Sequence, residues 1–84
     1  MSAKREAIVK NLAALLKEER TRQGLSLSEV AARAGIDRTM VMRVEESERV
    51  PTIDTLLRIA AALDVELGAL IQRASKATKD TGKA

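Results

Sequence analysis

The sequence predicts an all-α domain of five helices around one core. Three observations carry this. Apolar residues recur at three- and four-residue spacing along most of the chain. No stretch alternates apolar and polar residues as a half-buried strand does. Glycine, proline and capping residues stand between the apolar runs, where helices start and stop. The chain has 84 residues, enough for one small domain and too few for two.

The first helix is expected over about 5–22, where Ile8, Leu12, Leu15 and Leu16 form an i, i+4, i+7, i+8 stripe. Gly24 ends it, because glycine accepts the left-handed backbone of a helix stop. Leu25 precedes Ser26 as a hydrophobic staple would, and Ser26 with Glu29 forms an S-x-x-E capping box. A second helix follows to Ala34, then the turn residue Gly35. Ile36 tucks beneath that turn, and Asp37 is placed to cap a third helix from Arg38 to Glu46.

A polar loop, Ser47 to Val50, leads to Pro51, which cannot continue a helix. Thr52 is a fair N-cap for a fourth helix ending near Leu63, with Asp54 opposing its dipole. A short fifth helix, about Glu66 to Arg73, carries Leu67, Leu70 and Ile71, and Gly68 weakens it. Residues 1–74 are therefore expected to fold. From Ser75 onward SKATKDTGKA has no apolar period, so 75–84 are expected to be a disordered basic tail.

The stretch SLSEVAARAGIDRTMVMRVE, from Ser26 to Glu45, is the most telling. It places two short helices about a tight turn, the unit that pushes one helix into a DNA groove. Val30, Ala31 and Ala34 share one face of the first, and Val41 and Val44 share one face of the second. Thr39, Met42, Arg43 and Glu46 lie on the opposite face, with Arg38 at its edge. The core does not need that face, and base-reading side chains project from such a surface.

Composition narrows the function further. There is no histidine and no cysteine. The commonest general base, the commonest metal ligand, thiolate metal sites and disulfides are thereby removed, and no catalytic residue is assigned. No cofactor or metal is expected. There is no aromatic residue either, so bases of single strands and RNA loops have nothing to stack on but arginine. Duplex DNA read through a groove has no such need.

The net charge is +3, compatible with phosphate binding. Basic residues concentrate near the start, where Lys4, Arg5, Lys10, Lys17, Arg20 and Arg22 outnumber Glu6, Glu18 and Glu19. Lys76, Lys79 and Lys83 outnumber Asp80 near the end. No apolar run reaches the roughly 20 residues that span a bilayer, and the start, MSAKREA, has no signal-peptide core. A cytoplasmic location and no membrane partner are expected.

The segments LAALLKEERTRQGLSLSEVAARAGI, DRTMVMRVEESERVPTI and DTLLRIAAALDVELGALI resemble the Cro/C1-type (XRE-like) helix-turn-helix family over about residues 10–72. The resemblance implies a five-helix lambda-repressor-like DNA-binding domain. It implies a transcriptional regulator that binds double-stranded DNA sequence-specifically, usually as a homodimer.

Carried over position by position, it makes Arg38–Glu46 the recognition helix and puts Arg38, Thr39 and Arg43 at base edges. Arginine suits guanine, and a good bidentate contact discriminates by about 1–3 kcal/mol. Met42 on the same face would touch a thymine methyl. The family also pairs a first-helix arginine with the glutamate ending the recognition helix, here Arg20 and Glu45.

The sequence departs from the family at two places. Leu27 stands where the second helix usually opens with glutamine, leaving Ser28 and the helix start for phosphate. Glu46, Ser47 and Glu48 stand where a basic or polar residue and then glycine are usual, and acid near phosphate is repulsive. Either docking is tilted, or Arg22 and Arg49 compensate at phosphates, or affinity is modest. The dimer contact is expected at Val65, Leu67, Leu70 and Ile71. The alternative is a protein-interaction module or antitoxin-like protein on the same fold, with a toxin or other protein as partner.

Overall fold

A computed structural model describes the backbone of residues 2–82 and the side chains of 3–78. The helices are α1 (Ser2–Arg22), α2 (Leu27–Ala34), α3 (Arg38–Glu45), α4 (Ile53–Ala62) and α5 (Leu67–Gly82). No strand occurs among the described residues, and none of these helices is long and apolar enough to cross a membrane. Leu16, Val30, Val41, Val44, Ile59 and Leu63 are fully buried and draw one residue or more from each of the first three helices and from α4 with its cap. Burying each of these contributes about 1.5–3 kcal/mol.

Four helices end the same way. After α1, Gly24 takes φ 71°; its N–H donates to Thr21 O, and Leu25 N–H donates to Arg20 O. Gly35 (φ 70°) repeats this after α2, Ser47 (φ 59°) after α3 and Asp64 (φ 57°) after α4. The paired bonds are those of the Schellman motif, which satisfies the last carbonyls of a helix. Two of the four left-handed positions carry a side chain, and serine there lacks glycine's freedom.

The starts are capped as the sequence implies at two places. Glu29 N–H donates to Ser26 Oγ at 3.0 Å while Ser26 N–H donates to Glu29 Oε1 at 2.8 Å, closing the capping box. Thr55 N–H donates to Thr52 Oγ1 at 3.1 Å. At α3 the expectation needs correcting. Asp37 occupies the N-cap position, but its carboxylate accepts no cap hydrogen bond. Its backbone carbonyl does the work, accepting from Met40 and Val41 N–H.

The C-terminal expectation also needs correcting. The backbone stays helical to Gly82, where a disordered tail from Ser75 was expected. Leu70, Ala74 and Thr78 continue one i, i+4, i+8 stripe, and all three are buried. Asn11 Nδ2 donates to Thr78 Oγ1 at 2.7 Å and to Ala74 O at 3.3 Å, and Thr78 Oγ1 donates to Ala74 O. The stripe switches from large apolar to small residues, which pack closely on α1 and give no hydrophobic period. Lys76 is exposed on this helix; Lys83 and the Lys79 side chain lie outside the described residues.

Long polar side chains tie the corners. Arg33 Nη1 reaches Ala62 O at the end of α4, a long contact of 3.5 Å, and Arg58 Nη1 reaches Ala34 O at the end of α2 at 3.3 Å. Each of the two helices thus supplies a cation to the other's negative end. Gln23 Nε2 donates to Leu63 O at 2.7 Å, fastening the end of α4 to the end of α1.

Candidate nucleic-acid interface

The α2–turn–α3 unit is built from its inner face outward. Val30, Ala31 and Ala34 of α2 meet Val41 and Val44 of α3 in the core, with Ile36 half-buried under the turn. Gly35 is needed for its left-handed φ, and a Cβ there would also press, at 3.3 Å, on the end of the half-exposed Arg58 side chain that meets the α2 carbonyl end. The turn angle between the helices therefore rests on glycine and on a cation from α4.

Glu45 locks α3 to α1. Arg20 Nε donates to Glu45 Oε2 at 2.7 Å and Arg20 Nη2 to Oε1 at 3.0 Å, a bidentate fork. Arg20 Nη1 also donates to Leu25 O at 2.9 Å, so one guanidinium joins α1, the α1–α2 turn and α3. The side chains are 12% and 5% exposed. The hydrogen bonds to Glu45 hold the guanidinium's pKa above its ordinary value, against the burial that opposes them.

With its inner face pinned, α3 presents Arg38, Thr39 and Arg43 to solvent, and Met42 is half-buried beside them. Neither arginine has an ion-pair partner among the described residues. Ser28 is exposed at the start of α2, and Arg49 is exposed in the loop after α3. Leu27 is half-buried against the core, which explains an aliphatic residue at that helix start.

Two site expectations read differently in the structure. Arg22 does not stand free: it pairs with Glu19 one turn earlier on α1. The bond to Arg22 first, then that to Gln23, holds the Glu19 carboxyl below its usual range. Leu67 and Leu70 are buried in the core, and Val65 is half-buried, so only Ile71 of the expected dimer set is exposed. The reason is geometric: α5 uses its leucine face to cover α1 and α4.

The sequence reading missed several residues. Lys17 Nζ donates to Glu46 Oε2 at 3.0 Å and partly neutralises the acid that departs from the family pattern. Nothing in the linear spacing joins residues 17 and 46. An apolar stripe also stands open: Val50 is 76% exposed, Ile53 63% and Leu57 52%. The sequence places Val50 in the polar loop and Ile53 and Leu57 on the apolar face of the fourth helix, and spacing alone does not say that this part of the face is uncovered. No cluster of metal-ligating side chains occurs among the described residues.

Comparison with known proteins places this geometry in context. Residues 16–70 match the family HTH_3, described as Helix-turn-helix. The chain is 34% identical over 73 residues to the HTH-type transcriptional regulator SutR of Escherichia coli K12, covering 87% of this chain and 41% of that protein. It therefore spans less than half of that relative. It is 34% identical over 61 residues to the ImmF control region 10 kDa protein of Bacillus phage phi105, covering 73% of this chain and 68% of that one.

Two solved structures share the fold. The restriction-modification controller protein C.AhdI of Aeromonas hydrophila superposes with a TM-score of 0.69 at 38% identity, over 75% of this chain and 94% of its own. An HTH_3 family transcriptional regulator from Vibrio cholerae gives 0.73 at 32% identity, over 84% of this chain and 40% of its own.

Proposed function

The chain belongs to the Cro/C1-type helix-turn-helix family of DNA-binding transcription regulators, and from that premise we propose that it reads a specific duplex sequence through α3. One observation carries the reading. The inner face of α3 is sealed in the core and clamped by Arg20–Glu45, while Arg38 and Arg43 are exposed without ion-pair partners. Such a helix is rigid where it must be and open where bases would meet it.

In the major groove, Arg38, Thr39 and Arg43 would meet base edges, and the partly exposed Met42 a thymine methyl. Ser28 and Arg49 would contact phosphate. Arg22 contributes less than the sequence suggests, because Glu19 holds its guanidinium. Lys17 keeps Glu46 from repelling the phosphate track.

The active form would be a symmetric dimer with two recognition helices about 34 Å apart, one helical turn of DNA. The burial of Leu67 and Leu70 moves the proposed contact to the exposed Ile53 and Leu57 of α4, with Ile71 the one exposed residue of the expected set. The protein would act without cofactor and without catalysis. The open apolar stripe also favours a second reading, in which the same fold docks another protein, as an antitoxin docks a toxin.

Fluorescence anisotropy with random duplex at two salt concentrations separates the two. A regulator binds, and its affinity falls steeply as salt rises, because phosphate contacts release counterions. An interaction module without a DNA role shows no such binding. Selection of bound duplexes from a random pool then reads the sequence and the half-site spacing together.

A further inference from the structure

The part of α1 that precedes the family match shapes a groove of its own. The match begins at residue 16, whereas α1 begins at Ser2. These first turns run beside the loop joining α3 to α4. Between them lies a trough of about 510 Å³. Its apolar floor is the open surface of Val9, Val50 and Pro51, with Leu12, Leu16, Val44 and Leu56 of the core buried behind them. Arg5, Lys10 and Arg49 stand around it with Glu6 as the one acid. All three cations are exposed, and none has an ion-pair partner among the described residues.

We infer that this trough is a ligand site for an aliphatic chain ending in a carboxylate. The rim is complementary to an anion and the floor to a hydrocarbon, and the occupant must satisfy both. A phosphate track would use the cations but leave the apolar floor without a role. A protein interface takes about 20–30 residues a side, whereas thirteen line this trough. Its volume falls within the roughly 300–1,000 Å³ of small-molecule sites.

The site also touches the DNA-binding end. Ser47, Arg49, Val50 and Pro51 line it, and they directly follow the recognition helix. Where the proposed duplex reading holds, a carboxylate on Arg49 competes with phosphate for the same charge. Occupancy then lowers duplex affinity, and duplex lowers ligand affinity by the same factor.

The test is an NMR titration of the full chain, without DNA, using sodium octanoate as probe. Amides of 5–16 and 47–56 are expected to shift on binding. Acetate, which lacks the tail, and octanol, which lacks the charge, are each expected to bind about tenfold more weakly. Lys10→Glu and Arg49→Gln should each weaken octanoate by about tenfold while leaving the spectrum folded, since both side chains are exposed. Octanol binding as tightly as octanoate, or shifts confined to the open stripe at Ile53 and Leu57, overturns the inference. So does a duplex that shifts the Arg5 and Lys10 amides where octanoate does not, for the cations then serve DNA. Octanoate binding by a chain that binds no duplex supports the ligand site and defeats only the DNA reading.

Discussion

Two adjacent carboxylates end the recognition helix and face opposite worlds. Glu45 turns inward, where a bidentate arginine fork and a nearly solvent-free setting hold it. Glu46 turns outward, where Lys17 meets it through one half-exposed contact. Both pairs join α1 to α3. The same formal ion pair can fix an architecture or merely tune a surface, and burial decides which.

Breaking the inner pair should have the largest effect. Glu45→Ala leaves Arg20 buried without its anion, and such a change costs about 3–5 kcal/mol. Urea denaturation should show a lower midpoint, and duplex binding should fall with the folded fraction. Unchanged stability would mean that the packing of Val41 and Val44 alone holds α3.

On the outer face the expected loss is in binding alone. Arg43→Ala should weaken the preferred duplex by about 1–3 kcal/mol, the size of one bidentate base contact, with an unaltered denaturation curve. Anisotropy with preferred and scrambled duplexes checks this. An equal loss on both would assign Arg43 to phosphate.

Lys17→Gln tests the outer pair directly. Its stability cost should stay below about 1 kcal/mol, because both partners are half-exposed. Duplex binding should weaken as Glu46 is uncovered, and a Glu46→Gln background should abolish that weakening. A Lys17 that touches phosphate itself would cost the same in either background.

The loop after Glu46 is where local strain accumulates. Ser47 takes φ 59°, a conformation that suits glycine. Ser47→Gly should raise stability by about 0.5–1 kcal/mol, read from the urea midpoint. The parallel change at Asp64, also left-handed, should give less, since aspartate tolerates this region better than serine.

How much of this was legible in the sequence follows from the range of each signal. Ser26, Glu29, Gly24 and Gly35 announce helix boundaries because caps are local chemistry. The three-residue and four-residue spacing of Val30, Ala34, Val41 and Val44 announces the buried face. The partnership of Arg20 with Glu45 came through family resemblance, and the structure shows those atoms in contact. Lys17–Glu46, Arg58 with Ala34 O, and Asn11 with Thr78 join residues far apart in the chain, and no local pattern encodes them. The length of α5 was hidden because Ala74 and Thr78 are small. The exposure of Ile53 and Leu57 was hidden because periodicity marks an apolar face without saying what covers it.

The capping box at α2 gives the smallest effect and a definite sign. Glu29 is held below its ordinary carboxylate pKa by the Ser26 backbone N–H, next by the Ser26 hydroxyl, and also by nearby Arg33. A carboxyl lowered in the folded state binds its proton less readily than in the unfolded chain. The unfolded state therefore takes up more protons as pH falls, and stability rises with pH in that window. The contribution is complete above the unfolded value, near 4.5. It is lost as pH falls through the lower folded value. Urea midpoints should thus hold steady near neutrality and decline below that point, with Glu19 adding to the same slope. Glu29→Gln should flatten the decline by bringing the neutral-pH midpoint down toward its acid value, since the amide still accepts from Ser26 N–H but carries no charge. An acid slope as steep in the variant as in the parent would show that the box holds α2 by geometry alone, with its charge idle.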